Sequence, residues 1–187
     1  MRDMIENRPE ERAELETRAR WALEHPEQRE PRGVVEGFRP MLRLWHYPAF
    51  ANDISWTVFA PVSRGSETRF IVRKVFWNKV YDMRRFSHPL EWLEQGYRTL
   101  PAISTHDAFL PADQLAPFLE ELAQYPVPVA GIEAPWGLDG AIFGFEHVAS
   151  GILRVRLEWW SDGPVEWQPF TRYVARLREM LQQHLEK

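Results

Sequence analysis

Apolar and polar residues alternate strictly over two neighbouring runs in the last quarter of the chain. From Gly151 to Trp160 one set of side chains is apolar and the other is mainly charged, which is typical of a strand with one buried face. The run from Ala141 to Val148 also alternates. We therefore predict a β-hairpin. Its second strand places Leu153, Val155, Leu157 and Trp159 on one face and Arg154, Arg156, Glu158 and Trp160 on the other.

The loop of this hairpin decides which residues face each other. A two-residue loop at Ser150-Gly151 would set Glu146 opposite Val155 on the apolar face. A three-residue loop, Ala149-Ser150-Gly151, ends on a glycine, which suits the left-handed position that closes such a loop. We choose the three-residue loop, since a one-residue slip turns every side chain to the wrong face. It pairs Phe145 with Val155, Phe143 with Leu157, and Glu146 with Arg154 on the outer face.

An amphipathic helix is predicted after the hairpin. Its apolar residues recur at steps of three and four, so they form one stripe that we expect to pack on the apolar face of the sheet. Pro169 suits a first turn, so the helix begins near Trp167 to Pro169, after a turn at Asp162-Gly163-Pro164. We expect both Leu157 and Leu177 to be buried. The stripe consists of Trp167, Phe170, Val174, Leu177, Met180, Leu181 and Leu185.

Charged residues of both signs dominate the first 40 residues. Glu-to-Arg pairs at four-residue spacing predict a helix from Pro9 to Leu23. Its apolar stripe is too narrow for a core helix, so we expect a surface-docked or partly free helix followed by a linker. The stripe consists of Leu15, Ala19 and Ala22, and the linker contains Pro26, Pro31 and Gly33. The predicted division is 1–40, a charged helix and linker, and 41–187, a single domain.

The middle of the chain predicts alternating strands and helices. Strands are expected at Met41 to Tyr47, Ile54 to Pro61, Thr68 to Trp77 and Ala102 to Phe109, and helices at Ser87 to Gly96 and Pro111 to Gln124. The whole order is α-βββ-α-β-α-ββ-α. This order predicts an α+β fold with a single, mostly antiparallel β-sheet and helices packed on one face.

Charge and composition narrow the classes of function. The net charge is −4 and the isoelectric point is near 5.9, which disfavours nucleic acid or an anionic membrane as a partner. The chain contains no cysteine, so it has no disulfide or thiolate chemistry, and this fits a reducing compartment. No apolar run approaches the roughly 20 residues of a membrane span, and the first residues lack the pattern of a secretory signal. We expect a cytoplasmic protein without a membrane partner.

Patterns for catalysis or metal binding are weak. His88 and Glu91 share a helical spacing, whereas His106-Asp107 and Glu146-His147 are neighbours in strands and should face opposite sides. The serines lack a Gly-x-Ser-x-Gly context, and the glycines form no phosphate-binding loop. We predict no metal, no cofactor and no catalytic residue. The alternative is a small hydrolase-like enzyme whose acid-base carboxylates or histidines lie in a pocket that sequence does not identify.

The segment from Arg69 to Phe86 concentrates positive charge in this acidic chain. It contains six basic residues and five aromatic residues against one acid, Asp82. Such a segment is either the solvated side of a strand or a surface that favours anions, and an acidic protein suits it as well as nucleic acid does. The candidate partner-binding residues are Arg73, Lys74, Trp77, Lys79, Arg84 and Arg85.

The last quarter of the chain also carries a resemblance. It combines Gly137-Leu138-Asp139-Gly140, a strand ending in Trp159-Trp160, then Gly163-Pro164, Trp167 and the striped helix. This combination resembles the C-terminal portion of small uncharacterised bacterial proteins, some of which are similar to immunity proteins that neutralise toxins of competing cells. The resemblance implies a stand-alone binding protein without catalysis, and it transfers no functional residue. The long charged N-terminal extension departs from that pattern.

These observations together predict a non-enzymatic protein-binding module of bacterial type. The basic-aromatic segment is its expected contact surface, and an acidic protein is its expected partner. Nucleic acid is disfavoured as a partner. Self-association into a homo-oligomer stays open.

Overall fold

Six antiparallel strands form one sheet in the computed structural model, which describes residues 8–62, 69–87, 100–126, 139–149 and 153–186. The strands are β1 (Phe38–Pro48), β2 (Asp53–Pro61), β3 (Arg69–Trp77), β4 (Ile103–Pro111), β5 (Ala141–Ala149) and β6 (Leu153–Trp160). The helices are α1 (Arg8–Glu24), α2 (Lys79–Ser87), α3 (Ala112–Leu122) and α4 (Gln168–Leu185), with short 3-10 helices at Pro26–Gln28, Arg32–Val35 and Val165–Trp167. The strand order is β4-β3-β2-β1-β5-β6. The predicted α+β class and single antiparallel sheet are confirmed.

One face of the sheet, the α4 face, packs against α3 and α4. Alternate strand residues such as Leu44, Val58 and Phe145 meet the apolar stripe of α4 in one continuous core. Leu177 is fully buried there, as predicted. Tyr173 of α4 donates its hydroxyl hydrogen bond to the carbonyl of Phe118 in α3 at 2.9 Å, which joins the two helices.

The other face of the sheet, the α1 face, is covered by the N-terminal helix, which differs from the expectation that the helices pack on one face. Leu15, Ala19 and Leu23 of α1 are completely buried against Trp45 and Trp77 of the sheet. Of the two expected alternatives, the helix is docked and not partly free, but the expectation that its apolar stripe is too narrow for a core helix was wrong. A narrow stripe of small and medium side chains is sufficient to form a core when the opposing strands supply large indole rings.

A row of polar side chains crosses all six strands on the α1 face. Each member is the direct cross-strand neighbour of the next, and charges of opposite sign are adjacent except where a threonine separates two arginines. We name this the polar row, and it consists of Asp107, Arg73, Thr57, Arg43, Glu146 and Arg156. The α1 face is therefore part apolar and part ionic.

Arg73 makes the most extensive contacts of the polar row. Its side chain is 0% exposed, and it binds both carboxylate oxygens of Asp107 at 2.7 and 2.9 Å. It also donates to the carbonyls of Pro26, Arg29 and Pro31 at 2.8, 2.9 and 2.7 Å. These contacts use all five N–H donors of a guanidinium group. Arg73 therefore ties the segment that follows α1 to the centre of the sheet.

The C-terminal end of α1 is also held by the sheet. Ser55 donates to the carbonyl of Leu23 at 2.9 Å, and Arg43 donates to the carbonyl of Glu24 at 2.6 Å. The last turn of α1 contains no basic residue. Arg43 thus supplies the positive charge that stabilises the negative end of the helix dipole.

The predicted hairpin is present, but its register differs by two residues from the prediction. Phe145 pairs with Leu157, Glu146 with Arg156, and Ala149 with Leu153, while residues 150–152 lie outside the described part. The loop was placed one residue too early, and a two-residue shift leaves every side chain on its predicted face. The observed register stacks the rings of Phe143 and Trp159 with centroids 6.3 Å apart, which favours it over the predicted pairing.

Glu146 was expected directly opposite Arg154 on an outer face, and this was wrong in both respects. Arg154 is a diagonal neighbour, with its Nε 3.4 Å from a carboxylate oxygen of Glu146. Glu146 is buried, because Arg43 binds its other oxygen at 2.8 Å beneath the end of α1. The cross-strand partner of Glu146 is Arg156.

The side chains of β6 on the α4 face become less exposed from the N-terminal to the C-terminal end of the strand. We therefore expect leucine-to-alanine substitutions to lower the free energy of unfolding by amounts that follow the burial of each leucine. We expect Leu177→Ala to lower the free energy of unfolding by about 2–5 kcal/mol, since a fully buried leucine leaves a cavity. Leu157 is only half-buried, so Leu157→Ala should cost less, about 1–2 kcal/mol. Leu153 is 62% exposed on the same strand face, and Leu153→Ala is the matched control. Urea unfolding should give this order, and equal losses at 153 and 177 would contradict it.

The contacts of Arg73 predict that its loss releases the segment after α1. Arg73→Met leaves Asp107 and three carbonyls without their buried partner, and should lower the free energy of unfolding by about 3–5 kcal/mol. Limited proteolysis should then cleave between residues 25 and 37. Arg39→Met, at an exposed arginine of β1, is the control and should change stability by at most about 0.5 kcal/mol. A protease-resistant, fully stable Arg73→Met protein would show that these contacts are dispensable.

Candidate functional site

The structure does not bring the six candidate partner-binding residues onto one surface. Successive residues of β3 face opposite sides, so Arg73 and Trp77 point to the α1 face and Lys74 to the α4 face. Arg73 and Trp77 are buried, and neither side chain is available to a partner in this structure. Lys74 is half-buried, and burial lowers its pKa against the opposing charge of Glu186. These three residues contribute to the interior and not to a shared contact surface.

Helix α2, which the sequence did not predict, places the remaining candidates. It begins after Asn78, whose side-chain oxygen accepts a hydrogen bond from the backbone N–H of Tyr81 at 3.2 Å. Asparagine in this position is a favoured N-terminal cap. This capping signal could have been read from the sequence. The predicted helix from Ser87 to Gly96 lies, apart from Ser87, outside the described residues.

The one acid of the segment, Asp82, anchors α2 to the sheet. Its carboxylate is 0% exposed and accepts hydrogen bonds from the indole of Trp77 at 2.7 Å and from the backbone N–H of Ala102 at 2.8 Å. Its other oxygen lies 2.9 Å from a guanidinium nitrogen of Arg85. Trp77 and Arg85 were predicted to bind a partner, but both are used to hold α2 in place.

The exposed side of α2 carries a small basic-aromatic patch. Tyr81 is 46% exposed, Arg84 is exposed, and the guanidinium of Arg85 lies 5.5 Å from the centroid of the Tyr81 ring. Leu100, which is 63% exposed, accepts a hydrogen bond from Arg85 through its carbonyl at 3.4 Å. We name Tyr81, Arg84, Arg85 and Leu100 the α2 patch. Tyr81, Arg84 and Arg85 share one face of the helix because Arg84 and Arg85 lie three and four residues after Tyr81. A strand in this segment would not place all three on one face.

Lys79 belongs to a separate groove between α1, β2 and α2. Its ammonium group donates to the carbonyl of Pro48 at 3.1 Å and lies 3.4 Å from Asp53. The second oxygen of Asp53 lies 3.9 Å from the guanidinium of Arg20, which stacks 3.8 Å from the ring centroid of Tyr47. The groove has a volume of about 710 Å³. It gathers charges from three elements around one buried carboxylate.

The electrostatics of this groove differ from those of a catalytic carboxylate pair. Asp53 is 0% exposed, and burial raises its pKa, while Lys79 and Arg20 oppose that rise. Burial also raises the pKa of Tyr47 to about 12, so its hydroxyl stays neutral. The charged groups within ion-pair distance of Asp53, among described residues, are both cations. Glu16, which also lines the groove, adds to the rise of this pKa. Asp53 is thus a buried carboxylate whose direct ion pairs are with two cations, an arrangement that favours a structural tie.

Histidines and carboxylates are spread over the two faces of the sheet. His106 and Asp107 face opposite sides, as do Glu146 and His147, which confirms the prediction that the two members of each pair are directed to different faces of the sheet. The His88 and Glu91 pair lies outside the described residues. Within the described ranges, groups of three or more His, Asp or Glu side chains that could hold a metal ion are absent.

Comparison of the chain with protein-family models, curated proteins and solved structures gives no match. The described helices are all too short or too polar to cross a membrane. In the resembling C-terminal portion, Asp139, Gly140 and the elements from β6 onward are described, whereas Gly137 and Leu138 are not. The function must therefore be argued from the residues of this chain.

The raised pKa of Asp53 predicts a specific dependence of stability on pH. Its folded pKa lies above the value of 3.8 of an unperturbed aspartate, so the folded state binds more protons there than the unfolded state. The contribution of Asp53 to the free energy of unfolding therefore falls as pH rises through the folded pKa. The stability of the wild type relative to Asp53→Asn, which does not titrate, should decrease as pH rises above about 4, and should level off above the folded pKa.

Urea unfolding of both proteins across that range provides the measurement. Asp113→Asn, at an exposed residue of α3, controls for the loss of one acidic side chain. A relative stability that stays constant or increases with pH would show that Lys79 and Arg20 outweigh the burial of Asp53.

Proposed function

We propose that the protein is a non-enzymatic binding module that engages an acidic protein through the α2 patch. The observation that carries this proposal is the exposure of Tyr81 and Arg84 on a helix whose opposite side is anchored by buried Asp82. Tyrosine and arginine are the residues most often found at the energetic centres of protein interfaces. The patch therefore has suitable chemistry and a rigid base.

Rigid presentation supports binding because little conformational freedom is lost in the complex. Asn78 caps the first turn of α2, and the side-chain oxygen of Asn52 accepts from the backbone of Val80 at 3.1 Å. Asp82 then fixes the middle of the helix to β3 and to Ala102. These contacts leave Tyr81 and Arg84 on the side directed away from the sheet.

The nature of the partner follows from charge. Arg84 makes this surface positive within a protein of net charge −4, whereas the charge of Arg85 is paired with buried Asp82. An acidic surface is therefore attracted to the exposed guanidinium of Arg84. A module of this kind agrees with what the resemblance to bacterial immunity-like proteins implies. The absence of cysteine is the reason that the proposal places it in the cytoplasm.

The structure also selects which charge should be reversed in a test. Arg85→Glu would bring a second carboxylate against buried Asp82 and destabilise the fold. Arg84 has no such internal partner among described residues, so Arg84→Glu changes the surface and leaves the anchor intact. Arg39→Glu, at an exposed position of β1, is a matched reversal outside the α2 patch.

We predict that a photocrosslinking residue at position 81 captures a specific acidic protein, while the same residue at position 39 does not. With that captured protein, Arg84→Glu should slow association roughly tenfold at low salt and weaken its salt dependence, because exposed charges act mainly through encounter. Tyr81→Ala should accelerate dissociation, since it removes a packed ring. Surface plasmon resonance at two salt concentrations gives both rates.

A control variant and two contradicting results show whether the α2 patch is the contact surface. Arg39→Glu should leave both rates near those of the wild type. Equal capture from positions 39 and 81, or rates unchanged by both Arg84→Glu and Tyr81→Ala, would remove the α2 patch as the contact surface. Capture of a second copy of this chain at position 81 would replace the acidic partner by a homo-oligomer.

The alternative, a small hydrolase-like enzyme, has one observation in its favour. Asp53 is a buried carboxylate with a raised pKa beside a groove, and such groups concentrate at active sites. If a buried carboxylate is kept for function at the expense of stability, its replacement should raise the free energy of unfolding of the protein. If Asp53→Asn stabilises the protein at every pH tested, the groove becomes the preferred site. A net loss of stability supports the structural tie.

A further inference from the structure

A second cavity lies between the α4 face of the sheet and the N-terminal half of α4. Its volume is about 340 Å³, which is at the lower end of the range for small-molecule sites. Phe143 and Trp159 of the hairpin provide aromatic walls, and Val174 of α4 contributes a further apolar surface. The small side chain of Ala175 also lines the cavity. No residue of the α2 patch takes part.

Two arginines of α4, Arg172 and Arg178, also line this cavity. Arg178 is half-buried and lies 5.4 Å from the ring centroid of Phe143. Within the described ranges the guanidinium of Arg178 has no hydrogen bond and no carboxylate within ion-pair distance. The charge of neighbouring Glu179 acts on it only at longer range. The buried arginines Arg43 and Arg73, by contrast, each bind a carboxylate directly.

Among the described residues, few negatively charged side chains lie near Arg178. Burial lowers the pKa of Arg178, and His46, stacked on Phe143 with ring centroids 4.5 Å apart, has its pKa lowered to about 4 by burial and by Arg178. His46 is therefore neutral near pH 7. The acid among the cavity-lining residues is Asp162, which is exposed. Two arginines and one aspartate leave one net positive charge around an apolar space.

We propose that this cavity binds a small organic acid with an aromatic body and a single carboxylate. The body packs against Phe143 and Trp159, and the carboxylate pairs with the guanidinium of Arg178. A bound carboxylate would supply the charge-assisted hydrogen bond that the half-buried guanidinium of Arg178 lacks within the described residues. One negative charge matches the net charge of the lining, whereas a doubly charged phosphate would exceed it. Ala175, an exposed residue of the lining, adds little bulk on the α4 side of the cavity.

The test uses phenylacetate as the probe, with phenylacetamide and acetate as matched compounds. Phenylacetamide keeps the ring and removes the charge, and acetate keeps the charge and removes the ring. Titration calorimetry of the full chain should show saturable binding of phenylacetate, at least about tenfold tighter than binding of either matched compound. In NMR spectra, the signals of Phe143, of the Trp159 indole and of the Arg178 guanidinium should shift together.

Two variants separate the charge from the space. Arg178→Gln should weaken phenylacetate binding by at least about tenfold, since a charge-assisted pair is lost, and should leave phenylacetamide unaffected. Ala175→Leu adds bulk to the lining while the charge remains, and should weaken the binding of both aromatic compounds. Arg39→Gln, which is remote from the cavity, is the control and should bind phenylacetate as the wild type does.

The wild-type titrations alone can overturn the proposal, even if a variant fails to fold. Equal affinity for phenylacetate and phenylacetamide would show that Arg178 does not select a carboxylate. An absence of shifts at Phe143 and Trp159 with phenylacetate, 3-phenylpropanoate and 4-hydroxybenzoate would show that the cavity is not a site for aromatic acids. Phenylacetate binding that persists unchanged in Ala175→Leu would place it elsewhere on the protein.

Discussion

A fully buried guanidinium group, that of Arg73, imposes the main constraint on this structure. Removal of a charge from water is very unfavourable unless its hydrogen-bonding groups are satisfied. Here five donors meet five acceptors, two from Asp107 and three from backbone carbonyls between Pro26 and Pro31. A lysine has three donors and could not replace it. The sheet and the segment after α1 are therefore stable only together, because neither satisfies Arg73 alone.

The two faces of the sheet are consequently stabilised in different ways. The α4 face is an apolar layer in which Trp159 and Phe170 pack edge against face, and Phe170 and Tyr173 are stacked. The α1 face combines two indole rings with the polar row, so its specificity comes from ion pairs and from carbonyls at the end of a helix. The charges that α1 covers therefore fix its position along the strands, whereas its narrow apolar stripe alone would allow it to slide.

Local periodicity predicted the parts of this fold that depend on nearest neighbours. The faces of the hairpin and the burial of Leu177 follow from repeats of two and of 3.6 residues. The register did not follow, because a ring pair, Phe143 with Trp159, and a loop one residue further along decide it. The burial of α1 required knowledge that Trp45 and Trp77 face it, and these rings are distant in sequence.

The six candidate partner-binding residues are dispersed in the structure for a related reason. Basic residues in a short segment look like one surface, but a strand followed by a helix distributes them in different directions. Arg73 turned inward because Asp107, 34 residues away, pairs with it, and Arg85 was taken up by Asp82. Of the six candidate residues only Arg84 is exposed. Tyr81 lies beside it in the helix that a cap at Asn78 begins, and Leu100 is joined to this surface by the hydrogen bond from Arg85 to its carbonyl.

The order of synthesis gives the contacts of Arg73 a further consequence. Asp107 leaves the ribosome 81 residues after Pro26, which at 5–20 residues per second takes roughly 4–16 s. During that time Arg73 has no carboxylate partner and the sheet is incomplete. The inner surface of α1 is therefore not yet held in place and is open to chaperones, proteases and other nascent chains. Three residues, Leu15, Ala19 and Leu23, form that surface. A stripe this narrow is well suited to this wait, because it offers little apolar area for wrong associations before the sheet is complete.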